Sequence, residues 1–319
     1  MIIQKQKISF NSGAKIVNKS VLIKDKSEFE KTLLTLINLT NSDTYDPFKE
    51  IVWPDSIESG KLWMSPSLMS IHATRFEQEL SEEQLIEISK WEFINFCSLN
   101  VTGIRELLAG TANRLHTPGF EVLSEYLHHL IAEENEHMWY FSKFCLQYAG
   151  KIYPDRGLAM VSLPEADIAN FMFFVRTLIF EEIVDFYNRK MGQDKMLPKF
   201  IQEINWLHHL DEGRHIKYGR QYVNLICQEL LNKYPKERIL EIESAVKGFM
   251  ELSVQKLYRR EIFVDAGIDE PGKMRKELLS HPVRQQFNIK LIASTAKFLT
   301  QIGLFSDSDV LPEPEQVLN

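Results

Sequence analysis

Apolar residues recur every three or four positions along most of the chain after residue 80, which is the period of amphipathic helices. Segments containing proline and glycine interrupt this pattern and divide it into four long predicted helices, over 81–115, 120–148, 165–189 and 198–232. Ser81 stands three residues before Gln84, the spacing of a capping box, and marks the first helix start. Further helices are predicted over 237–266 and 283–302, so we expect an all-α fold with very little strand.

The first 60 residues lack this helical period and are rich in Ser, Asn, Asp and Pro. They are therefore predicted to be irregular, with 16–24 alternating like a short strand or arm. The acidic tail from Asp307 is expected to fray. Because no linker of flexible composition divides the helices, we predict one domain over 1–319. It would comprise an irregular segment (1–60), a four-helix core (80–232) and additional helices (237–302).

Composition sets limits on the function. The chain has 319 residues, of which 44% are hydrophobic and 25% charged, as is usual for a globular protein. The net charge of −7 gives no electrostatic reason to expect binding to nucleic acid or to an anionic membrane surface. The most apolar stretch, 168–180, is too short to span a bilayer and contains Asn170 and Arg176.

Cysteine usage and the amino terminus favour a cytoplasmic location. The three cysteines, Cys97, Cys145 and Cys227, are far apart and form neither a Cys-x-x-Cys motif nor a Cys/His cluster. We therefore expect reduced core residues, not a disulfide framework or a zinc site. The first residues contain no continuous apolar segment of the kind found in signal peptides.

Two Glu-x-x-His strings carry the strongest chemical signal, at Glu134–His137 and Glu212–His215. The i, i+3 spacing places a carboxylate and an imidazole on one helix face. Glu134 and His137 lie within the apolar stripe of their helix, where an unpaired carboxylate is costly to bury. Two such pairs and a further Glu from each of two other helices form the ligand set of a di-iron or di-manganese bundle. A surface Glu/His pair is the alternative for either string alone.

Two more candidates lie on the third and fourth helices. His208 precedes Glu212 by four residues and so shares its helix face, which favours it over the adjacent His209 as the inward residue. A core or surface histidine without a ligand role is the alternative for either. Glu181 falls on the apolar stripe of the third helix and is the better ligand candidate. Glu182 could instead pair with Arg189 or another surface charge.

The first helix should supply the fourth carboxylate, from Glu106 or Glu92. Glu106 precedes Glu134 by 28 residues, close to the spacing of 31 residues between the corresponding glutamates in the second half. A repeated helix pair therefore selects Glu106, although the apolar stripe of this helix passes closer to Asn100.

The charges of this ligand set are balanced. Four carboxylates, three neutral imidazoles and two divalent ions would form a neutral site that a helical core can enclose. Carboxylate and imidazole ligands suit iron or manganese better than structural zinc. Glu133 and Glu136 fall off the stripe and are expected to be solvated. Asp185 and Asp211 are expected to orient the ligating imidazoles.

With these residues the sequence resembles the p-aminobenzoate N-oxygenase family of ferritin-like di-iron oxygenases. The extra histidine one turn before the second Glu-x-x-His is the narrower part of the match, which covers roughly residues 80–230. The resemblance assigns as metal ligands Glu106, Glu134, His137, Glu181, His208, Glu212 and His215.

The resemblance implies a ferritin-like four-helix bundle that holds two iron ions, with manganese as the alternative metal. It implies O2 and a small amine as substrates, an external electron donor, a hydroxylamine, nitroso or nitro product, and a homodimer. Another di-iron oxidation, such as C–H hydroxylation or desaturation, is an alternative. Two further alternatives are a non-catalytic ferritin-like metal-binding protein and a buried polar network without metal.

Overall fold

The computed structural model describes residues 26–43, 45–155, 163–307 and 309–311. These residues contain helices and no strand, so the all-α prediction is confirmed. The strand or arm predicted over 16–24 and most of the acidic tail lie outside the described residues. The α-helices of the described residues are α1 (Lys26–Ser42), α2 (Pro47–Glu50), α3 (Phe76–Glu79), α4 (Glu82–Ala112), α5 (Ser124–Ala149), α6 (Ala166–Gln193), α7 (Lys199–Lys233), α8 (Lys236–Lys256), α9 (Arg260–Asp265), α10 (Pro271–Ser280) and α11 (Pro282–Gln301). A short 3₁₀ helix, Pro66–Leu68, lies between α2 and α3.

The four long predicted helices correspond to α4, α5, α6 and α7. Ser81 and Gln84 form the expected capping box at the start of α4. α5 ends where Gly150 adopts a left-handed φ of 70°, a backbone conformation that glycine adopts without strain. The break after α4 is longer than predicted, because α4 ends at Ala112 and regular helix resumes only at Ser124.

These four helices form the ferritin-like bundle, with α4 packed mainly on α5 and α6 mainly on α7. α4 runs antiparallel to α6, since Phe96 stacks on Tyr187 and Gly110 lies against Phe173 further along. A Cβ atom placed on Gly110 would lie only 2.1 Å from the Phe173 ring. Glycine in α4 therefore permits close approach of two helices.

The prediction that residues 1–60 are irregular is wrong for α1 and α2. α1 presents Phe29, Leu33 and Leu36 at i, i+4 and i+7 as a narrow buried stripe. The remaining positions of α1 are rich in Thr, Asn, Lys and Glu, which obscured the period. α1 packs across α5 and α7, on the outside of the bundle.

The carboxyl-terminal region is also more divided than predicted. The helix expected over 237–266 is two helices, α8 and α9. An additional helix, α10, follows and buries Met274 and Leu278 one turn apart. α8 and α11 both pack against α6. Within the described ranges, no helix has the length and apolar character needed to cross a membrane.

Candidate metal centre

The two Glu-x-x-His strings meet inside the bundle. α5 contributes Glu134 and His137, α7 contributes Glu212 and His215, and all four side chains are buried. One potential ligand atom from each lies within 4.8 Å of the others. The helix-face prediction therefore brings together two carboxylates and two imidazoles from separate helices.

Glu181 and His208 adjoin this group. Nε2 of His208 lies 2.7 Å from Oε1 of Glu212, and Oε2 of Glu181 lies 4.0 Å from Nδ1 of His215. Glu181 is 3% exposed and His208 is 1% exposed, as buried as the other four. Six of the seven predicted ligands thus form one buried cluster between α5, α6 and α7.

The inward-facing atoms of this cluster have no hydrogen-bond partner among the described residues. Some approach one another closely, as Nδ1 of His215 does to Oε1 of Glu134 at 2.8 Å, but without hydrogen-bond geometry. Buried polar atoms are rarely left unpaired, and a cation among these lone pairs would satisfy them. The cluster therefore fits a metal. The unpaired atoms are Oε1 of Glu134, Nδ1 of His137, Oε1 of Glu181, Nε2 of His208, both carboxylate oxygens of Glu212 and Nδ1 of His215.

The outer nitrogens of two histidines bind carboxylates. Nε2 of His137 lies 3.0 Å from Oδ2 of Asp211, and Nε2 of His215 lies 2.8 Å from Oε2 of Glu133. Nη2 of Arg214 donates to both of these carboxylates, at 2.6 Å each. A carboxylate behind an imidazole fixes its tautomer and orientation, as is usual around protein metal sites.

The third histidine has an amide behind it. Nδ1 of His208 lies 2.6 Å from the side-chain amide nitrogen of Asn188, which is fully buried on α6. Each inward-facing imidazole therefore has a polar group on its outer side, but only His208 lacks a carboxylate there.

These contacts test which acidic residues bind the outer nitrogens of the candidate histidine ligands. Asp211 does hold a candidate ligand, as predicted. Glu133 was predicted to be solvated, which is wrong, because it is 8% exposed and binds His215. Asp185 contacts the neighbouring His209 instead of a candidate ligand. Glu182 pairs with Arg220, at 2.7 Å.

The cluster perturbs the pKa values of its members. Burial, and then the carboxylates of Glu212 and Glu134, raise the pKa of Glu181 well above its ordinary value. Burial opposes ionisation of Glu133 too, but His215 and Arg214 lower its pKa to about 2. The inner carboxylates thus repel one another, while the outer ones are stabilised as anions. A bound cation would relieve the inner repulsion.

The structure does not bring Glu106 to the cluster, and this prediction is corrected. The Glu106 side chain is 74% exposed and lies 3.7 Å from Arg105. The selection from sequence spacing failed because the two helix pairs have unequal connections. The α4–α5 connection runs over 113–123, whereas the α6–α7 connection runs only over 194–198.

Glu92, the other candidate on α4, is buried but engaged elsewhere. Its carboxylate accepts hydrogen bonds from the backbone nitrogen of Ser70, at 3.0 Å, and from the Ser70 hydroxyl. The charged group that acts on its pKa is Arg284 of α11, not a member of the cluster. The cluster therefore receives no carboxylate from α4.

Comparison with known protein families gives a match that includes the clustered residues. The family model of p-aminobenzoate N-oxygenase AurF matches residues 26–303, which extend from the start of α1 beyond the end of α11. All of the clustered side chains lie within the match. No curated protein matches the chain at a significant level.

Proposed function

The chain belongs to the p-aminobenzoate N-oxygenase family, and on this premise we propose that it is a non-haem di-iron oxygenase that N-oxygenates a small amine. The product would be a hydroxylamine, or its more oxidised nitroso or nitro form. The observation that carries the proposal is the buried cluster of three carboxylates and three imidazoles with unpaired inward-facing atoms.

Six residues would hold two iron ions, namely Glu134, His137, Glu181, His208, Glu212 and His215. Carboxylate and imidazole ligands are compatible with iron and also with manganese. When bound, iron would supply the redox chemistry, in which one oxygen atom of O2 enters the N–H bond to give the hydroxylamine and the other leaves as water. An external donor would provide two electrons, and two protons would come from solvent.

The outer carboxylates would prepare the imidazoles for this role. A proton shared with Asp211 on Nε2 of His137 leaves the lone pair of Nδ1 free to face the metal. Glu133 would do the same for His215. A metal on Nε2 of His208 requires a proton on Nδ1, and Asn188 would accept that proton once its side-chain amide is turned over so that the oxygen faces the ring.

Aromatic side chains would keep the site dry. The ring of Phe141 lies 4.9 Å from that of His208, and the ring of Tyr140 lies 5.7 Å from that of His137. Exclusion of water strengthens the electrostatic interactions of a site and protects reactive species from side reactions. A narrow pocket reaches Glu181 and His215 from the other side, and we propose it as the approach for O2. Its apolar lining includes Leu130, Phe173, Phe174 and Leu178.

Elemental analysis and an oxygenation assay test the proposal together. Protein reconstituted anaerobically with Fe(II) should hold about two iron atoms per chain. With isotopically labelled O2, a chemical reductant and a panel of aryl and alkyl amines, labelled oxygen should appear on nitrogen. Absence of N-oxygenated product from the two-iron protein across the panel would overturn the proposed reaction. Uptake of many iron atoms per chain without amine oxidation would instead favour the alternative of a non-catalytic ferritin-like metal-binding protein.

Paired variants test the ligand assignment. His215→Ala should lose iron, because it removes a buried candidate ligand. His209→Ala is the matched control, since His209 lies on the same helix but contacts Asp185. It should retain about two iron atoms per chain. Full iron occupancy in His215→Ala would contradict the assignment.

A further inference from the structure

The first helix of the bundle, α4, carries a fully buried asparagine, Asn100, whose side-chain oxygen is unpaired. We infer that Asn100 of α4 contributes its side-chain oxygen to the metal site, in the position for which α6 uses Glu181. This inference rests on the proposed function. It describes a centre with three carboxylates, three imidazoles and one amide, in which one metal position binds more weakly than the other.

The environment of Asn100 is the first observation. The residue is completely buried, and its Nδ2 donates to the backbone carbonyl of Phe96 at 2.9 Å. Its Oδ1 is buried and has no hydrogen-bond partner among the described residues, like the inward-facing atoms of the cluster. Since Nδ2 is held against the preceding turn of its own helix, Oδ1 is the free end of the amide.

The register of the helices is the second observation. One turn before Asn100, the ring of Phe96 lies 6.1 Å from that of Phe141 on α5. α4 and α5 are antiparallel, as the further contact of Phe93 with Phe144 shows. One turn forward along α4 therefore corresponds to one turn back along α5, from Phe141 to His137. Asn100 thus lies at the level of His137.

The same argument applies to α6. The ring of Phe96 lies 5.4 Å from that of Tyr187, and Gly103 approaches Phe180. Asn100 falls between these two contacts on α4, and Glu181 falls between them on α6.

The other acidic residues of α4 do not compete for this position. Glu92 is bonded to Ser70, and Glu106 is exposed. Glu82, Glu83 and Glu87 lie in the first two turns, more than three turns before Asn100. A neutral amide oxygen is a weaker ligand for a divalent cation than a carboxylate, because it carries no charge. We therefore expect two metal positions of unequal affinity.

Anaerobic Fe(II) titration followed by dialysis and elemental analysis tests this inference. Asn100→Leu should fall from about two retained iron atoms per chain to about one. Asn100→Asp should retain both and bind the weaker iron at least about tenfold more tightly, as expected for an added charge. The matched control is Asn95→Leu. Asn95 is also buried on α4 with an unpaired Oδ1, but it lies on another face of the helix more than one turn before Asn100, and its Nδ2 donates to the Lys256 carbonyl. It should behave like the wild type.

Circular dichroism and the rise in melting temperature on adding Fe(II) give readouts independent of activity. The inference is overturned if folded Asn100→Leu retains both iron atoms with wild-type affinity. If that variant does not fold, failure of Asn100→Asp to strengthen the weaker position also overturns it. A wild-type protein that binds no iron would overturn both this inference and the proposed function. Two bound iron atoms without amine oxidation would overturn the proposed reaction alone.

Discussion

Nε2 of His215 and Oε2 of Glu133 lie 2.8 Å apart, so a candidate ligand on α7 is anchored by a carboxylate on α5. Glu133 also accepts a hydrogen bond from Arg214, and its low pKa keeps it ionised. The interaction holds Nδ1 of His215 toward the cluster. Glu133 therefore supports the candidate metal centre through His215 and is not itself one of the six proposed ligands.

Replacing Glu133 with Gln should weaken metal binding by about 10–100-fold, because the outer partner that orients His215 loses its charge. Competition with a chelator of known affinity measures the change. Glu125→Gln is the control, since Glu125 is an exposed glutamate on the same helix. Wild-type metal affinity in Glu133→Gln would show that His215 is oriented without this bond.

Glu133 and Asp211 should act as a coupled pair, because Arg214 donates to both. In a double-mutant cycle with Glu133→Gln and Asp211→Asn, we expect a coupling energy of about 0.5–3 kcal/mol in metal binding. The measurement is the metal affinity of the wild type, both single variants and the double variant. Strict additivity would mean that the two carboxylates support their histidines independently.

Metal removal should lower the stability of the protein. Without a cation, the carboxylates of Glu134, Glu181 and Glu212 are confined together in the interior, which raises the pKa of Glu181. Fe(II) at about 100 times its dissociation constant should stabilise the fold by about 2.7 kcal/mol per site. Anaerobic thermal unfolding measures this, and His215→Ala should show a much smaller increase. Equal melting temperatures with and without iron would contradict the fit of the cluster to a metal.

Stability should also depend on pH through Glu92. Burial raises its pKa to about 7, although hydrogen bonds from Ser70 work in the opposite direction. Because the pKa in the folded protein lies above the ordinary value of 4.5, the contribution of Glu92 is complete below pH 4.5. It is lost as the pH rises through 7.

Glu92→Gln removes this titration. Its unfolding free energy relative to the wild type should increase by up to about 3 kcal/mol between pH 4.5 and pH 8. Urea denaturation of both proteins at a series of pH values measures the difference. A difference that stays constant with pH would mean that Glu92 is ionised at the same pH in the folded and unfolded chains.

The close packing of α4 against α6 can be tested by replacing Gly110, which lies against the Phe173 ring. Gly110→Ala should destabilise the protein by about 1–3 kcal/mol, because the new methyl group would collide with the Phe173 ring. Arg114 lies over the same ring at 4.0 Å, which limits its movement. Gly248→Ala in α8 is the control, since nothing lies within 4 Å of its added Cβ. That change should stabilise by about 0.5–1 kcal/mol, and equal effects would contradict the packing argument.

Local pattern was sufficient to predict the four long helices and six clustered residues. A period of 3.6 residues decides which side chains share a face, and the Glu-x-x-His spacing depends on nothing else. α1 was missed because only three apolar positions, Phe29, Leu33 and Leu36, form its buried stripe. The helical period also led to the wrong prediction that Glu133 is solvated, because its contact with His215 depends on where α7 approaches α5.

Relationships between helices could not be obtained in this way. Glu106 was selected by its distance from Glu134 along the chain, but that distance includes a connection whose length the pattern did not define. The contact of Glu92 with Ser70 joins α4 to the segment before it and has no sequence signature. Both outcomes depend on tertiary packing.

The position of α1 has a consequence for the kinetics of metal exchange. Phe29 stacks on Tyr218 at 6.2 Å and on Tyr222 at 5.7 Å, one and two turns beyond His215. Asp43, just after α1, lies 3.9 Å from Arg214. α1 thus covers the outer side of the helices that carry the Glu-x-x-His pairs. Metal entry and release on this side would require α1 to detach, so exchange by this route should follow the local opening of α1.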